Sequence, residues 1–420
     1  MIIICESFIL SMIFFEYKKY RMATTPAILL GGIYLLFIPV INSIGSYLGF
    51  LPLTEKTIIS FTMFLLVLFI GGQFWAIYYR SGKRYEPDFF SLSLLDKEKI
   101  IWRGYVVGLI AYVISLLQVI EQYGIENTKS NAFGIFAHIG FISRCFMPII
   151  IYYAIKRKKI KYVFALIINI AALIMFKGKY HIYIPVASFV VLYLITKKNI
   201  KISGILKAVS LTFISALMLF VSVYTIIPNI LAGNTSLNEM KVGIQFSVKH
   251  FFHYFFCPFI SSNVYFDNPC YSGISTGLRI VFNPIDRLYQ WISGSRDYFD
   301  PAISLWPIID TYGNTGNVGG IFSETVFNIG YLGTTIYVFF IGFFLYYFLS
   351  QTIYRGKRIL SSTFLLGMLL VSFFCNYFTL LPNLECFIIC YLADVCALDN
   401  RFVLRNLKLF KGCGLLKSNY

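Results

Sequence analysis

Long apolar segments separated by short basic clusters dominate this chain of 420 residues. Hydrophobic residues make up 58% of the chain and charged residues only 13%, which is far less charge than the surface of a soluble domain requires. The apolar blocks are about 15 to 25 residues long, enough for a helix to cross a hydrocarbon core about 30 Å thick. The sequence therefore predicts an all-α, polytopic integral membrane protein.

Eleven apolar blocks are candidate transmembrane helices. They are residues 1–15, 27–50, 57–79, 104–120, 132–155, 160–176, 180–195, 205–227, 321–349, 360–381 and 386–398. One long stretch, residues 228–320, holds Pro, Asn, Gly and Asp clusters instead of a continuous apolar run. The chain is thus expected to consist of N-terminal helices (residues 1–227), one large loop (228–320), and C-terminal helices with a tail (321–420).

The large loop is expected to contain short helices. Residues 246–266 are aromatic and apolar but are interrupted by His250, His253 and Pro258, so we expect an interfacial or re-entrant helix there. Residues 289–292 and 303–309 are expected to form further short helices on the membrane surface.

The basic residues indicate how the chain is oriented. The net charge is +17, and most of the 36 Lys and Arg residues lie in every second connection and in the C-terminal tail. The large loop is nearly neutral. The positive-inside rule then puts the N-terminus and the large loop outside the cell membrane and the C-terminus in the cytoplasm. Basic clusters dispersed in this way form no basic domain, so we expect no nucleic acid partner.

Arg144 is the most unusual residue within a candidate helix. A guanidinium near the middle of a membrane span costs several kcal/mol, so such residues usually face the bundle interior or a watery cavity. Arg144 is therefore a candidate for binding an anion. The alternative is a buried ion pair, with Glu6 or Asp394 as the partner. His138 lies on the external side of Arg144 in the same segment, where a packing role is favoured.

A short external turn, Lys177-Gly178-Lys179-Tyr180-His181, carries two lysines against the positive-inside trend. A compact cation beside a helix N-terminus suits phosphate oxygens, so Lys177 and Lys179 are candidate phosphate contacts. The alternative is that both lysines reach towards lipid headgroups.

Glu324 begins the first candidate helix after the large loop. A carboxylate is stabilised at a helix N-terminus, which is a sufficient structural reason for it. It is also a candidate general base for a sugar hydroxyl, with His181 as the less favoured alternative. In the loop, Arg279 is a candidate phosphate or sugar contact, although a surface charge without a role is the default interpretation.

The cysteines and glycines indicate no further site. Most cysteines lie in or beside apolar segments, and none has the spacing of a metal site, so no metal is expected. Cys257 and Cys270 both lie in the large loop, where a disulfide is possible outside the cytoplasm. The glycines before Glu324 spell neither a P-loop nor a dinucleotide-binding fingerprint, so no cofactor is expected.

Three parts of the chain resemble the oligosaccharide repeat-unit polymerases of the O-antigen and capsule (Wzy) type. They are the helix from Phe322 to Gly342, the basic turn from Lys177 to Lys179, and the aromatic stretch from His253 to Asp267. The single large external loop is also similar. Relatives often carry an arginine where Lys179 or His181 stands here.

The resemblance implies an enzyme of the bacterial inner membrane. Its substrate would be an oligosaccharide linked to undecaprenyl pyrophosphate, and its partners would be the lipid bilayer and a chain-length regulator. Arg144, Lys177, Lys179 and Arg279 would contact pyrophosphate or sugar, and Glu324 or His181 would remove the acceptor proton. A polysaccharide ligase and a flippase or exporter remain alternatives. An exporter is disfavoured because the two halves of the chain show no matching broken helices.

Overall fold

The computed structural model describes residues 1–78, 85–124, 134–176, 180–197, 236–294 and 305–399, with the single positions 217, 218, 221, 225 and 229. Over these ranges the chain is helical. The helices are α1 (Ile2–Tyr20), α2 (Pro26–Val40), α3 (Glu55–Tyr78), α4 (Pro87–Asp96), α5 (Glu98–Tyr123), α6 (Ile135–Arg157), α7 (Ile160–Met175), α8 (Tyr180–Thr196), α9 (Leu237–Asp267), α10 (Ile274–Val281), α11 (Asn283–Ser293), α12 (Ile321–Arg355), α13 (Ile359–Val371) and α14 (Leu381–Ala393). Turns of π-helix continue α2 to Gly45 and α14 to Leu398.

Six helical segments among the described residues are long and apolar enough to cross a membrane. They are Pro26–Gly45, Glu55–Trp75, Glu98–Tyr123, Ile135–Arg157, Ile321–Arg355 and Leu381–Leu398. The helices α7, α8 and α13 are apolar but shorter. The structure thus shows a helical membrane protein with six candidate spans among the described residues, and the expected count of eleven is not confirmed.

The number of candidate spans is smaller than the expected eleven for identifiable reasons. Residues 1–15 belong to the 19-residue helix α1, which is not among the six, and residues 205–227 lie almost entirely outside the described ranges. The predicted helix at residues 360–381 is too long, because α13 ends at Val371. Residues 372–380, here called the central turn, are mostly non-helical and include one short 3₁₀ turn.

Glycines let the long helices approach closely. A Cβ atom at Gly71 of α3 would lie 2.3 Å from the carbonyl oxygen of Phe339, and one at Gly342 of α12 would lie 2.3 Å from that of Leu68. Small residues at such contacts allow backbone-to-backbone packing where no hydrophobic effect drives helices together. The pair α3–α12 is therefore a tightly packed unit of the bundle.

The helix predicted at residues 246–266 is longer and more deeply packed than expected. It forms about the last two thirds of α9, a helix of 31 residues. Its Phe259 lies 5.1 Å from Phe37 of α2, and its Phe266 lies 5.4 Å from Phe61 of α3, measured between ring centroids. Both Phe259 and Phe266 are buried. This part of the large loop therefore belongs to the helical core.

The other short helices predicted in the loop have mixed outcomes. Residues 289–292 lie in α11, as predicted. The prediction for residues 303–309 is wrong over 305–309, where the backbone is non-helical and Ile308 forms an isolated β-bridge with Thr315. The Asp310 carboxylate accepts hydrogen bonds from the backbone N–H groups of Tyr312 and Asn314, which stabilises a turn instead of a helix.

The helix α12 is broken at Gly330. This residue has φ 70° and ψ 178°, a conformation open almost only to glycine. The backbone N–H groups of Cys270 and Tyr271, which precede α10, donate to the carbonyls of Val326 and Phe327. The break therefore separates a short segment, residues 321–329, from the long membrane helix that follows.

We expect Gly330→Ala to destabilise the protein, because a Cβ atom in this conformation costs about 1–3 kcal/mol. Its melting temperature in detergent, followed by tryptophan fluorescence, should fall clearly below that of the wild type. Gly32→Ala is the matched control, since a Cβ atom at Gly32 would meet no atom within 4 Å. Equal melting temperatures for the two variants would show that stability does not require glycine at the break in α12.

Candidate functional site

Arg144 of α6 is among the largest fully buried side chains, with 1% of its surface exposed. Its Nη2 donates to Oδ1 of Asn383 at 2.6 Å, and its Nη1 lies 3.6 Å from the Cys386 sulfur. Its Cζ lies 5.3 Å from the ring centroid of Tyr180, within the range of a cation–π contact. All these partners are electrically neutral.

No carboxylate of the described residues lies within salt-bridge distance of Arg144, and its buried Nε has no hydrogen-bond partner. The alternative partners considered from the sequence, Glu6 and Asp394, are not bonded to it. Asp394 instead accepts hydrogen bonds from the backbone N–H groups of Leu360 and Ser361 at the start of α13. Because a buried charge without a counter-ion is costly, Arg144 is suited to an anionic ligand.

Asn383 connects Arg144 to the central turn. Its Nδ2 donates to the backbone carbonyl of Tyr377 at 2.8 Å while its Oδ1 accepts from Arg144. The ring of Tyr377 also lies 6.0 Å from the ring of Tyr180, which itself lies under the guanidinium. Arg144 is therefore fixed against one side of the turn by side chains from α8 and α14.

Glu324 lies against the same turn from α12. One carboxylate oxygen accepts from the backbone N–H of Gly319 at 3.1 Å, and the other accepts from the backbone N–H of Asn376 at 2.8 Å. The Cys375 thiol lies 3.7 Å from the second oxygen. The side chain is half-buried. Hydrogen bonds thus fix the orientation of the carboxylate, and part of the side chain remains accessible.

The break in α12 brings Glu324 and Tyr337 to a single partner. Asn376 gives its backbone N–H to Glu324, and its Oδ1 accepts from the Tyr337 hydroxyl at 3.4 Å. In a straight α-helix, residues 13 apart lie about 20 Å apart along the axis and on roughly opposite faces. The bend at Gly330 therefore helps to bring both side chains to the central turn.

The two histidines on this side have different surroundings. The His181 ring lies 4.1 Å from the ring of Tyr180 and stacks on Phe141, and its Nδ1 is buried without a hydrogen-bond partner in the described structure. His138 Nδ1 lies 2.7 Å from a carboxylate oxygen of Glu385. His181 thus lies beside Tyr180, the ring that contacts Arg144, whereas His138 is paired with a carboxylate.

The other residues singled out from the sequence have separate outcomes. Arg279 forms an ion pair with Asp286, at 3.2 Å between Nε and Oδ1. Lys177 and Lys179 lie outside the described residues. Cys257 and Cys270 are both free thiols, so the structure contains no disulfide between them.

The sequence analysis did not single out Asn376 and Asn383, which connect Glu324 and Arg144 to the central turn. Both are fully buried, with 2% and 0% of their surfaces exposed. In the sequence, these two amide side chains lie at the ends of an apolar stretch that is interrupted by Pro382. Because a buried amide must find hydrogen-bond partners, this pattern could have indicated their role. Asn283 adds a third link, because its Nδ2 donates to the carbonyl of Thr379 at 3.2 Å.

Searches against family models, curated proteins and solved structures found no match to this chain. The site must therefore be interpreted from its own geometry.

Proposed function

We propose that this protein is a polymerase of lipid-linked oligosaccharide repeat units, of the O-antigen or capsule type. It transfers a glycan chain from undecaprenyl pyrophosphate to the next lipid-linked repeat on the outer face of the bacterial inner membrane. The observation that carries the proposal is that a buried, uncompensated Arg144, through Asn383, and an oriented Glu324 are both connected to the central turn. The proposed topology has eleven spans, an external N-terminus and a cytoplasmic C-terminus.

In the proposed reaction, Glu324 and Arg144 have different roles. A hydroxyl oxygen of the acceptor sugar attacks the anomeric carbon of the donor, and the bond from that carbon to the pyrophosphate oxygen breaks. Glu324 takes the hydroxyl proton as general base. Arg144 stabilises the negative charge that develops on the departing pyrophosphate, as a pre-organised cation in a water-poor site. Lys177, Lys179 and Arg279 are proposed as secondary contacts to phosphate or sugar.

The length of α13 supports a site below the membrane surface. Its 13 residues rise about 20 Å at 1.5 Å per residue, whereas the hydrocarbon core is about 30 Å thick. If α13 begins at one edge of the core, the central turn lies roughly 10 Å beneath the other edge. Non-helical backbone is tolerated at such depth where it is enclosed by protein or lines a cavity. A lipid-linked pyrophosphate can approach such a depth from the headgroup layer.

Substitutions at Cys386 test whether Arg144 must lack a carboxylate partner for the protein to be active. Because its sulfur lies 3.6 Å from Nη1 of Arg144, Cys386→Asp should give the guanidinium a permanent carboxylate partner. We expect this variant to insert normally but to lose polymer synthesis. Cys386→Ser has nearly the same volume and no charge, so it should retain synthesis. Full activity in Cys386→Asp would show that the free charge is not required.

The proposed function is tested by deleting the gene in its host and separating the surface polysaccharide on a gel. We expect the long-chain ladder to disappear while a single repeat unit is retained, and a plasmid copy to restore the ladder. Loss of every repeat-bearing product would favour a flippase or a ligase instead. An unchanged ladder would overturn all three functions.

A further inference from the structure

The helices α10 and α11 expose a continuous apolar face that the proposed function does not use. The side chains of this face, here called the apolar shelf, are between 44% and 72% exposed. They are Ile274, Leu278, Phe282, Ile285, Tyr289 and Ile292. Their spacing of three or four residues is that of one face of a helix.

Three polar side chains of α11 face the protein. Asn283 and Gln290 are buried, with 7% and 9% of their surfaces exposed. The Asp286 carboxylate is bonded to Arg279 and also accepts from Gln290 Nε2 at 2.7 Å. A helix at a water-exposed surface has the opposite arrangement, with apolar residues inside and polar residues outside. The apolar shelf therefore needs an apolar environment.

The position of the shelf identifies that environment. The helix α10 packs directly on α12, since a Cβ atom at Gly277 would lie 1.8 Å from the carbonyl oxygen of Asn328. Beyond this contact, α12 exposes a second apolar stripe at Leu332, Ile336 and Phe340, each more than half exposed. A membrane-spanning helix presents such a stripe to lipid. The shelf lies beside this part of α12, because the ring of Phe282 lies 6.2 Å from the ring of Tyr337, measured between centroids.

We propose that the apolar shelf lies in the acyl-chain region of the membrane leaflet nearest the central turn. Part of the large loop is then embedded in the bilayer, deeper than the membrane-surface position expected for residues 289–292. The inference depends on α12 crossing a membrane and is independent of the polymerase proposal. It has a structural consequence for the site, because Asn283 of α11 is bonded to the central turn. A molecule anchored in this leaflet would meet the shelf beside that turn.

Photo-crosslinking in native-like membranes tests this inference. The full chain is reconstituted in phospholipid vesicles with Ile285 replaced by p-benzoylphenylalanine, then irradiated and analysed by intact-mass spectrometry. We expect a mass increase of one phospholipid. Replacement of Tyr312 is the matched control, because this exposed ring lies 4.1 Å from the Lys249 ammonium in a polar turn. The control should give no lipid adduct.

A replacement at Ile292 repeats the test at a second position of the shelf, in case the first variant does not fold. A crosslinked dimer of the chain would assign the shelf to a second copy and overturn the inference. The absence of any adduct at both shelf positions in folded protein would show contact with water and would also overturn it. These outcomes differ from those of the polysaccharide gel, so failure of one proposal does not imply failure of the other.

Discussion

Arg144→Ala is expected to abolish the long-chain polysaccharide ladder while the protein still inserts in the membrane. Removing one pre-organised electrostatic contact from a developing negative charge typically lowers the rate by about 100- to 1,000-fold. A loss of this size would leave a single repeat unit as the dominant product. The measurement is the ladder produced in a deletion host, normalised to the amount of protein in the membrane fraction.

The effect of Arg144→Ala on stability should be smaller, because two contributions oppose each other. The substitution leaves the buried Oδ1 of Asn383 without its donor, which costs about 1–3 kcal/mol. It also removes a buried charge that has no counter-ion among the described residues, which relieves a desolvation penalty. The loss of activity should therefore exceed any loss of folded protein.

Arg157→Ala is the matched control for Arg144→Ala. Arg157 is at the other end of α6, is 41% exposed at its side chain, and forms an ion pair with Glu98 at 2.9 Å. Exposed pairs contribute about 0–1 kcal/mol, so this variant should keep its ladder. A full-length ladder from Arg144→Ala would remove Arg144 from the site.

Glu324→Gln is expected to produce the second large loss of activity. The amide has almost the same size as the carboxylate but cannot accept a proton at neutral pH. Loss of a general base lowers the rate by about 100- to 10,000-fold. The amide N–H₂ would also face the backbone N–H of Gly319 or Asn376, so some stability should be lost as well.

The dependence on pH distinguishes a general base from a structural hydrogen-bond acceptor. A general base must be deprotonated, so wild-type polymerisation should decline as the pH falls through the titration of Glu324. The residual activity of Glu324→Gln should lack that decline. Glu98→Gln, at the cytoplasmic end assigned by the charge pattern, is the control and should keep the wild-type profile. If the activity of Glu324→Gln still declined at low pH as the wild-type activity does, another group would be responsible for the decline.

The long helices were predictable because apolar composition and length alone determine whether a segment can cross a bilayer. The predicted blocks match α3 and α6 within three residues at each end, and they match α5 within six. The burial of α9 was not predictable in this way, since His250, His253 and Pro258 interrupt its apolar pattern. Its position depends on ring contacts with α2 and α3, which are distant in the sequence.

The charged residues of the site were predictable individually, but their arrangement was not. A guanidinium in a membrane segment is conspicuous in any sequence, as is a carboxylate that starts a helix. The central turn that connects them was predicted as helix, because residues 372–380 are largely apolar. Its conformation depends on hydrogen bonds with Glu324, Asn283 and Asn383, which belong to three other parts of the chain.

The most direct test of the central claim uses purified protein in vesicles with a single lipid-linked repeat as the only substrate. The wild-type protein should produce glycans of two or more repeats and release one undecaprenyl pyrophosphate for each bond formed. The Arg144→Ala and Glu324→Gln variants should give neither product. Unchanged substrate in the presence of folded wild-type protein would show that the protein is not the polymerase.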